Sequence, residues 1–234
     1  MTKSRLTVLI DLDGILIDNI AFEESVTRFI VDRILVLKSV PRHRAVTLWE
    51  ESLSRERDSV RWYDYDHHCS NVGIPALSME AHQQSVGRLR QVPGARGTWD
   101  LLIKYSDEVC VVSEAPRWVM EFKLHALGFN GYTTLLSSQD VGKLKSNPDF
   151  WLKLKKGLRT SVMLYIDNKI QNLTSALASM HKLACIYFDR VEHSMTLPDT
   201  RRPADFGEVS SNLAVRVVRD HFELQDLIMK MVTV

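Results

Sequence analysis

The sequence predicts an α/β fold in which a parallel-sheet core is interrupted by an inserted α-helical cap. Three observations predict it. Short apolar runs rich in β-branched residues alternate with helical patterns, one long stretch has helical periodicity without a convincing strand, and polar residues follow several of the apolar runs directly.

The apolar runs lie at Leu6 to Ile10, Glu108 to Val112, Thr133 to Leu136, Val162 to Ile166, Leu183 to Phe188 and Ala214 to Val218. Each has strand length and is mostly apolar on both faces, the pattern of strands covered on both sides. Helical patterns fall between and after them: Thr98 to Tyr105, Arg117 to Leu127 closed by Gly128 as a C-cap, Asp149 to Leu158, Ile170 to Met180, and Phe222 to Met231. Strand and helix in alternation imply parallel strands joined by right-handed crossovers.

Residues 19–92 break that rhythm. Phe22, Val26, Phe29, Ile30, Ile34 and Leu35, then Val46, Trp49 and Leu53, then His82, Val86 and Leu89 recur at helical spacing. The expected organisation is therefore a core of residues 1–18 and 93–234 and a helical cap of residues 19–92, returning at Pro93-Gly94. Residues 190–212 read as a long polar loop without periodicity.

Composition narrows the function classes. With 45% apolar and 25% charged residues and a formal net charge of +1, the chain has neither the basic excess of a nucleic-acid binder nor the bias of a disordered one. Cys69, Cys110 and Cys185 are widely spaced, and the last two sit in apolar runs, which points to buried free thiols and a reducing, cytoplasmic setting. The apolar run before Asp11 is too short for a signal peptide, and no stretch has transmembrane length, so no membrane association is expected. Asn172-Leu173-Thr174 matches a glycosylation triplet by chance on that reading.

In open α/β sheets ligands sit at the carboxyl ends of strands. There the sequence places Asp11-Leu12-Asp13-Gly14, then Ser113, then Lys143 and Lys145 beyond the third run, then Asp167-Asn168. Singly, each has an ordinary structural use as a turn former, a helix cap or a surface charge. Jointly, three carboxylates at neighbouring strand ends would repel one another unless a hard cation offset them, and magnesium (Mg2+) is the economical choice.

This arrangement resembles the haloacid dehalogenase (HAD) superfamily, in the branch with a helical cap between its first two motifs. DLDGILID (Asp11 to Asp18) looks like the first motif, VCVVSEAP with Ser113 like the second, KSNPDFW (Lys145 to Trp151) like the third, and YIDNKIQN with Asp167 like the fourth. The resemblance implies a Rossmann-like core and a phosphatase whose nucleophile, Asp11, becomes an aspartyl phosphate, with Asp13 as acid and base. Magnesium would be held by Asp11, the Asp13 carbonyl and Asp167. Ser113 and Lys145 would offset phosphoryl charge, and Glu114 and Gly14 would lie beside the phosphate. Lys145 is preferred to Lys143 because it stands nearer Pro148, Phe150 and Trp151.

The sequence departs from the family pattern at Ile15, Ser146 and Asn168. The expected substrate is a small phosphorylated metabolite and the expected state a monomer or homodimer. A phosphomutase, a receiver domain and a non-catalytic binding protein on the same fold are the alternatives. Asp13 argues against dehalogenation, which has no phosphoryl leaving group to protonate. In the cap, Arg61 to His68 holds the densest aromatic and charged patch. Its structural reading, with Trp62 and Tyr65 in the cap core, is preferred, and His67 and His68 point to different helix faces.

Overall fold

The computed structural model describes residues 6–155, 162–180, 183–190 and 215–232. Six strands, β1 (Leu6–Asp11), β4 (Glu108–Ser113), β5 (Thr134–Ser137), β6 (Val162–Asp167), β7 (Leu183–Phe188) and β8 (Val215–Val218), form one sheet in the order β5-β4-β1-β6-β7-β8. Every pairing is parallel. All six apolar runs are strands, displaced by one residue at most at either end.

The helices of the core are α5 (Ala95–Tyr105), α6 (Arg117–Ala126), α7 (Ser138–Val141), α8 (Pro148–Lys155), α9 (Ile170–Ser179) and α10 (His221–Val232). Gly128 follows α6 at φ 73°, the left-handed geometry of a C-cap. Asp220 caps α10, its side chain accepting from the backbone N–H groups of Phe222 and Glu223 at 2.8 and 2.9 Å. The loop expected at 190–212 lies outside the described residues beyond its first position, as does the end of the helix expected to reach Leu158.

Residues 19–92 form α1 (Ile20–Lys38), α2 (Arg42–Arg55), α3 (Tyr65–Val72), α4 (Ser78–Ser85) and a short 3-10 turn. The sequence reading found no strand near their ends. The structure corrects it: β2 (Ile17–Asp18) pairs antiparallel with β3 (Arg90–Gln91), and Val92 N–H donates to the Leu16 carbonyl at 3.1 Å. Two-residue strands carry no readable alternation. Their pairing is set by bringing the two connecting segments side by side.

Alternation along β1 divides the interior. Val8 and Ile10 face a cluster that includes Trp99, Leu124, Phe129 and Leu224, whereas Leu9 faces Phe150, Trp151, Tyr165 and Leu173 on the other side of the sheet. The first cluster continues through Leu12, Ile15, Leu16 and Ile17 into Phe22, Val26, Ile30 and Trp49 of the inserted helices. Ile15 is thus a fully buried core residue, and its carbonyl bonds the His221 Nε2 at 2.7 Å. Burying a side chain of that size contributes roughly 1.5–3 kcal/mol, which accounts for an aliphatic residue at this position.

Two glycines are required by geometry. Gly14 turns the chain off β1 at φ 87°, a conformation costly for other L-residues, and Gly94 at φ 83° lies where an added Cβ would meet the His221 Cβ at 2.8 Å. Among the described residues no helix is long and apolar enough to cross a membrane.

Three histidines are buried: His68 against Ser52 Oγ (3.0 Å) and the Trp62 carbonyl (3.1 Å), His82 against the Ser78 carbonyl (2.7 Å), and His221 against Thr98 Oγ1 (2.8 Å). Burial pushes all three below the usual imidazole range. The unfolded chain takes up their protons near pH 6.5 while the folded chain resists. Stability from the neutral rings is therefore complete above about pH 6.5 and declines as pH falls below it. Scanning calorimetry should find a melting temperature that drops between pH 7 and pH 5; a flat profile across that interval would contradict the buried neutral rings.

Candidate active site

The strand order reverses at β1, which has β4 on one side and β6 on the other. Crevices of this kind hold ligands in open α/β sheets. Parallel register sets Asp11 beside Val112 and Ile10 beside Ile166. Asp11, Ser113 and Asp167 thereby end three adjacent strands at one level.

Lys145 fills the space between two of them. Its Nζ donates to Asp11 Oδ1 at 2.6 Å, to Asp167 Oδ2 at 2.8 Å and to the Val112 carbonyl at 3.4 Å, using all three ammonium protons. Lys145 is 1% exposed, Asp11 5% and Asp167 0%. Lys143 is partly exposed, 4.0 Å from Asp149, so geometry favours Lys145 as the lysine of this site. Trp151 fixes the Lys145 backbone, its Nε1 donating to the Lys145 carbonyl at 2.6 Å while its ring packs on Tyr165.

Asp167 is held from every side. Oδ1 accepts from Lys169 N–H at 2.7 Å; Oδ2 accepts from Lys145 and from the Tyr165 hydroxyl; the Asn172 amide reaches both oxygens at 3.3 and 3.1 Å. Burial raises the Asp11 carboxyl to about 7, with the Asp167 charge adding to the shift and Lys145 opposing it. Burial disfavours the Lys145 cation too, but the flanking carboxylates outweigh that and hold it above the ordinary lysine value.

Asp13 lies two residues past Asp11 and has a different partner. Both its carboxylate oxygens accept from Lys123 Nζ, at 3.0 and 3.2 Å, and the same ammonium donates to Glu23 Oε1 of α1 at 2.8 Å. Glu23 also accepts from the Tyr65 hydroxyl of α3 at 2.7 Å. Burial alone would raise the Glu23 carboxyl, but the Lys123 charge and these two bonds hold it below the usual range. Ser113 Oγ accepts from Ala115 N–H at 3.1 Å. Glu114 pairs with Lys169 Nζ at 2.7 Å. Burial raises the Tyr63 hydroxyl, between α2 and α3, with the Lys169 charge opposing and the Asp13 and Glu114 charges adding to the shift.

Of the residues expected at the site, Asp11, Lys145 and Asp167 meet directly, Asp13 is held by Lys123, and Ser113 and Glu114 stand at the end of β4. Lys123, Lys169, Tyr165 and Glu23 were not among them. For Lys123 a signal was present: it shares the inward stripe of α6 with Val119, Met120 and Leu124, where a lysine is out of place without an acidic partner. In the insert, Tyr65 and His68 are buried, His67 pairs with Glu56 at 3.0 Å, and the two imidazoles share no ligand set.

The oxygen atoms suit a hard divalent cation. Five carboxylates (Asp11, Asp13, Asp167, Glu23, Glu114) face three ammonium groups (Lys145, Lys123, Lys169), so carboxylates, the donor type a hard divalent cation takes, are in excess. Asn168 donates to the Asp13 carbonyl at 3.2 Å while its own buried Oδ1 has no hydrogen-bond partner. Among the described residues no three His, Cys, Asp or Glu side chains cluster as a metal set, so carbonyl and amide oxygens would have to complete it.

No family model matches the chain, and no curated protein aligns with it significantly. Solved structures do match. A HAD phosphatase from Thermococcus onnurineus superposes with TM-score 0.75 at 16% identity over 95% of this chain and 97% of that one. YfnB from Bacillus subtilis, bound to magnesium, gives 0.61 at 15% identity over 97% and 99%. A 2-haloacid dehalogenase from Pseudomonas syringae pv. Tomato DC3000 gives 0.59 at 15% over 98% and 100%.

The Trp151 contact allows a direct test. Trp151→Phe keeps an aromatic ring but leaves the buried Lys145 carbonyl without its donor, which costs about 1–3 kcal/mol. Urea denaturation should show that loss; unchanged stability would mean the bond does not hold the Lys145 segment. The chain carries the α/β fold of the haloacid dehalogenase superfamily hydrolases.

Proposed function

We propose that the protein is a magnesium-dependent phosphatase that hydrolyses a small phosphate monoester through an aspartyl phosphate on Asp11. The observation that carries this reading is the buried Asp11 at the switch point, held by Lys145 between two strands, with a second carboxylate, Asp13, two residues further on.

Asp11 attacks phosphorus as the ester P–O bond breaks, and Asp13 gives a proton to the departing oxygen. Asp13 then takes a proton from water, which attacks phosphorus and releases Asp11 and inorganic phosphate. Lys145, from the segment between α7 and α8, and the Ser113 hydroxyl at the end of β4 offset the charge on the phosphoryl oxygens. The insert, tied to the core through Glu23 and Lys123, limits the access of bulk water. Magnesium, when bound, would be held by Asp11, the Asp13 carbonyl and Asp167 and would supply positive charge beside the phosphoryl oxygens.

Asp13 is the reason for preferring a phosphatase to a dehalogenase, since a departing halide takes no proton. The YfnB structure bound to magnesium supports the choice of cation.

Asp11→Asn should reduce phosphate release from p-nitrophenyl phosphate to below a few per cent of wild type, because an amide is a poor nucleophile. Retention of activity would sink the mechanism. With the wild-type protein, a chelator should abolish release and added magnesium restore it, and Asp167→Ala should raise the magnesium concentration needed for half-maximal rate. Full activity in chelator would count decisively against the cation.

A further inference from the structure

Lys123 belongs to the core, on α6, yet it is 1% exposed and meets one carboxylate from each side of the boundary with the insert. Asp13 comes from the core and Glu23 from the first inserted helix. Around this contact the two parts are packed with aromatic rings: His82 of α4 lies 5.0 Å from Trp118 and 6.0 Å from Phe122 of α6, and Phe22 of α1 stacks on Phe122 at 6.4 Å. The Lys123 ammonium also sits 5.3 Å from the centre of the Phe22 ring. An ammonium in such surroundings is retained only where its partners are fixed, because an unpaired buried charge costs several kcal/mol.

We propose that Lys123 is a positioning residue that fixes the Asp13 carboxylate and ties it, through Glu23, to the docked position of the inserted helices. The proposal rests on the phosphatase reading for the work Asp13 does. Its geometry is independent of that reading. Asp13 is held at both oxygens by one ammonium, and that ammonium is held by a residue whose other bond, from Tyr65 of α3, lies inside the insert. Movement of α1 away from α6 would take one of the two carboxylates from Lys123 and leave Asp13 on an ammonium no longer fixed from the other side. Chemistry at Asp13 is then coupled to closure by a bridge of charged groups, without any direct contact between Asp13 and the insert being needed.

The test separates positioning from mere stability. Lys123→Met leaves two neighbouring carboxylates without their shared cation, so it should melt earlier than wild type and lose about 10²-fold in kcat, the scale expected for a misplaced reacting group. Lys123→Met combined with Glu23→Gln removes the stranded inserted carboxylate while keeping an acceptor for Tyr65. The double variant should regain part of the melting temperature lost in Lys123→Met, since only Asp13 is left without its cation, while kcat on p-nitrophenyl phosphate stays depressed and KM changes little. Recovery of kcat together with stability would overturn the positioning role.

Hydrogen exchange supplies a readout that needs no substrate. In Lys123→Met, exchange should rise in α1 and in the β2–β3 ribbon, and unchanged exchange there overturns the tie to the insert whatever the activity. Absence of phosphate release by the wild-type protein would sink the phosphatase reading instead, and leaves that exchange result to stand or fall by itself.

Discussion

The site is organised by one buried ammonium. Lys145 sits between Asp11 and Asp167 at the end of the sheet, where neither carboxylate could be left unpaired at this depth. Breaking a buried pair from one side typically costs 3–5 kcal/mol, so each member constrains the other two. The constraint reaches outward. Trp151 must hold the Lys145 backbone, Tyr165 and Asn172 must satisfy Asp167, and α8 and α9 must pack where they can present these groups.

The same principle is repeated at smaller scale around the mouth of the site. Lys123 links Asp13 to Glu23, and Lys169 meets Glu114, so each ammonium is matched locally. The Lys123 pairing also binds the insert to the core by electrostatics, alongside the apolar cluster that runs from Ile10 through Ile17 to Phe22 and Val26. The inserted helices therefore share an interior with the core while their connection narrows to the two paired segments β2 and β3.

The legible parts of the fold were those with a period. Six apolar runs became six parallel strands, the central ones because a strand covered on both faces needs a continuous apolar sequence, and Phe22, Val26, Ile30 and Ile34 became the inward face of α1 because only a helix aligns that spacing. Asp11, Asp13, Ser113 and Asp167 were legible because each stands at or soon after a strand end, and Lys145 because it precedes Pro148, Phe150 and Trp151. The ribbon of Ile17–Asp18 with Arg90–Gln91 has no period to read, and its pairing depends on a helical segment of some seventy residues closing back on itself.

By itself, then, the sequence determined the α/β alternation, the place of the helical insert and which side chains gather at the ends of the strands. These follow from local spacing and from the chain order of strands and helices. Which ammonium faces which carboxylate was decided only by the tertiary structure. Lys123 is 110 residues from Asp13 and 100 from Glu23, and Lys145 is 134 from Asp11. Partners so distant in sequence are chosen by packing, which buries the charges together and makes pairing the arrangement that avoids leaving any of them dry and alone.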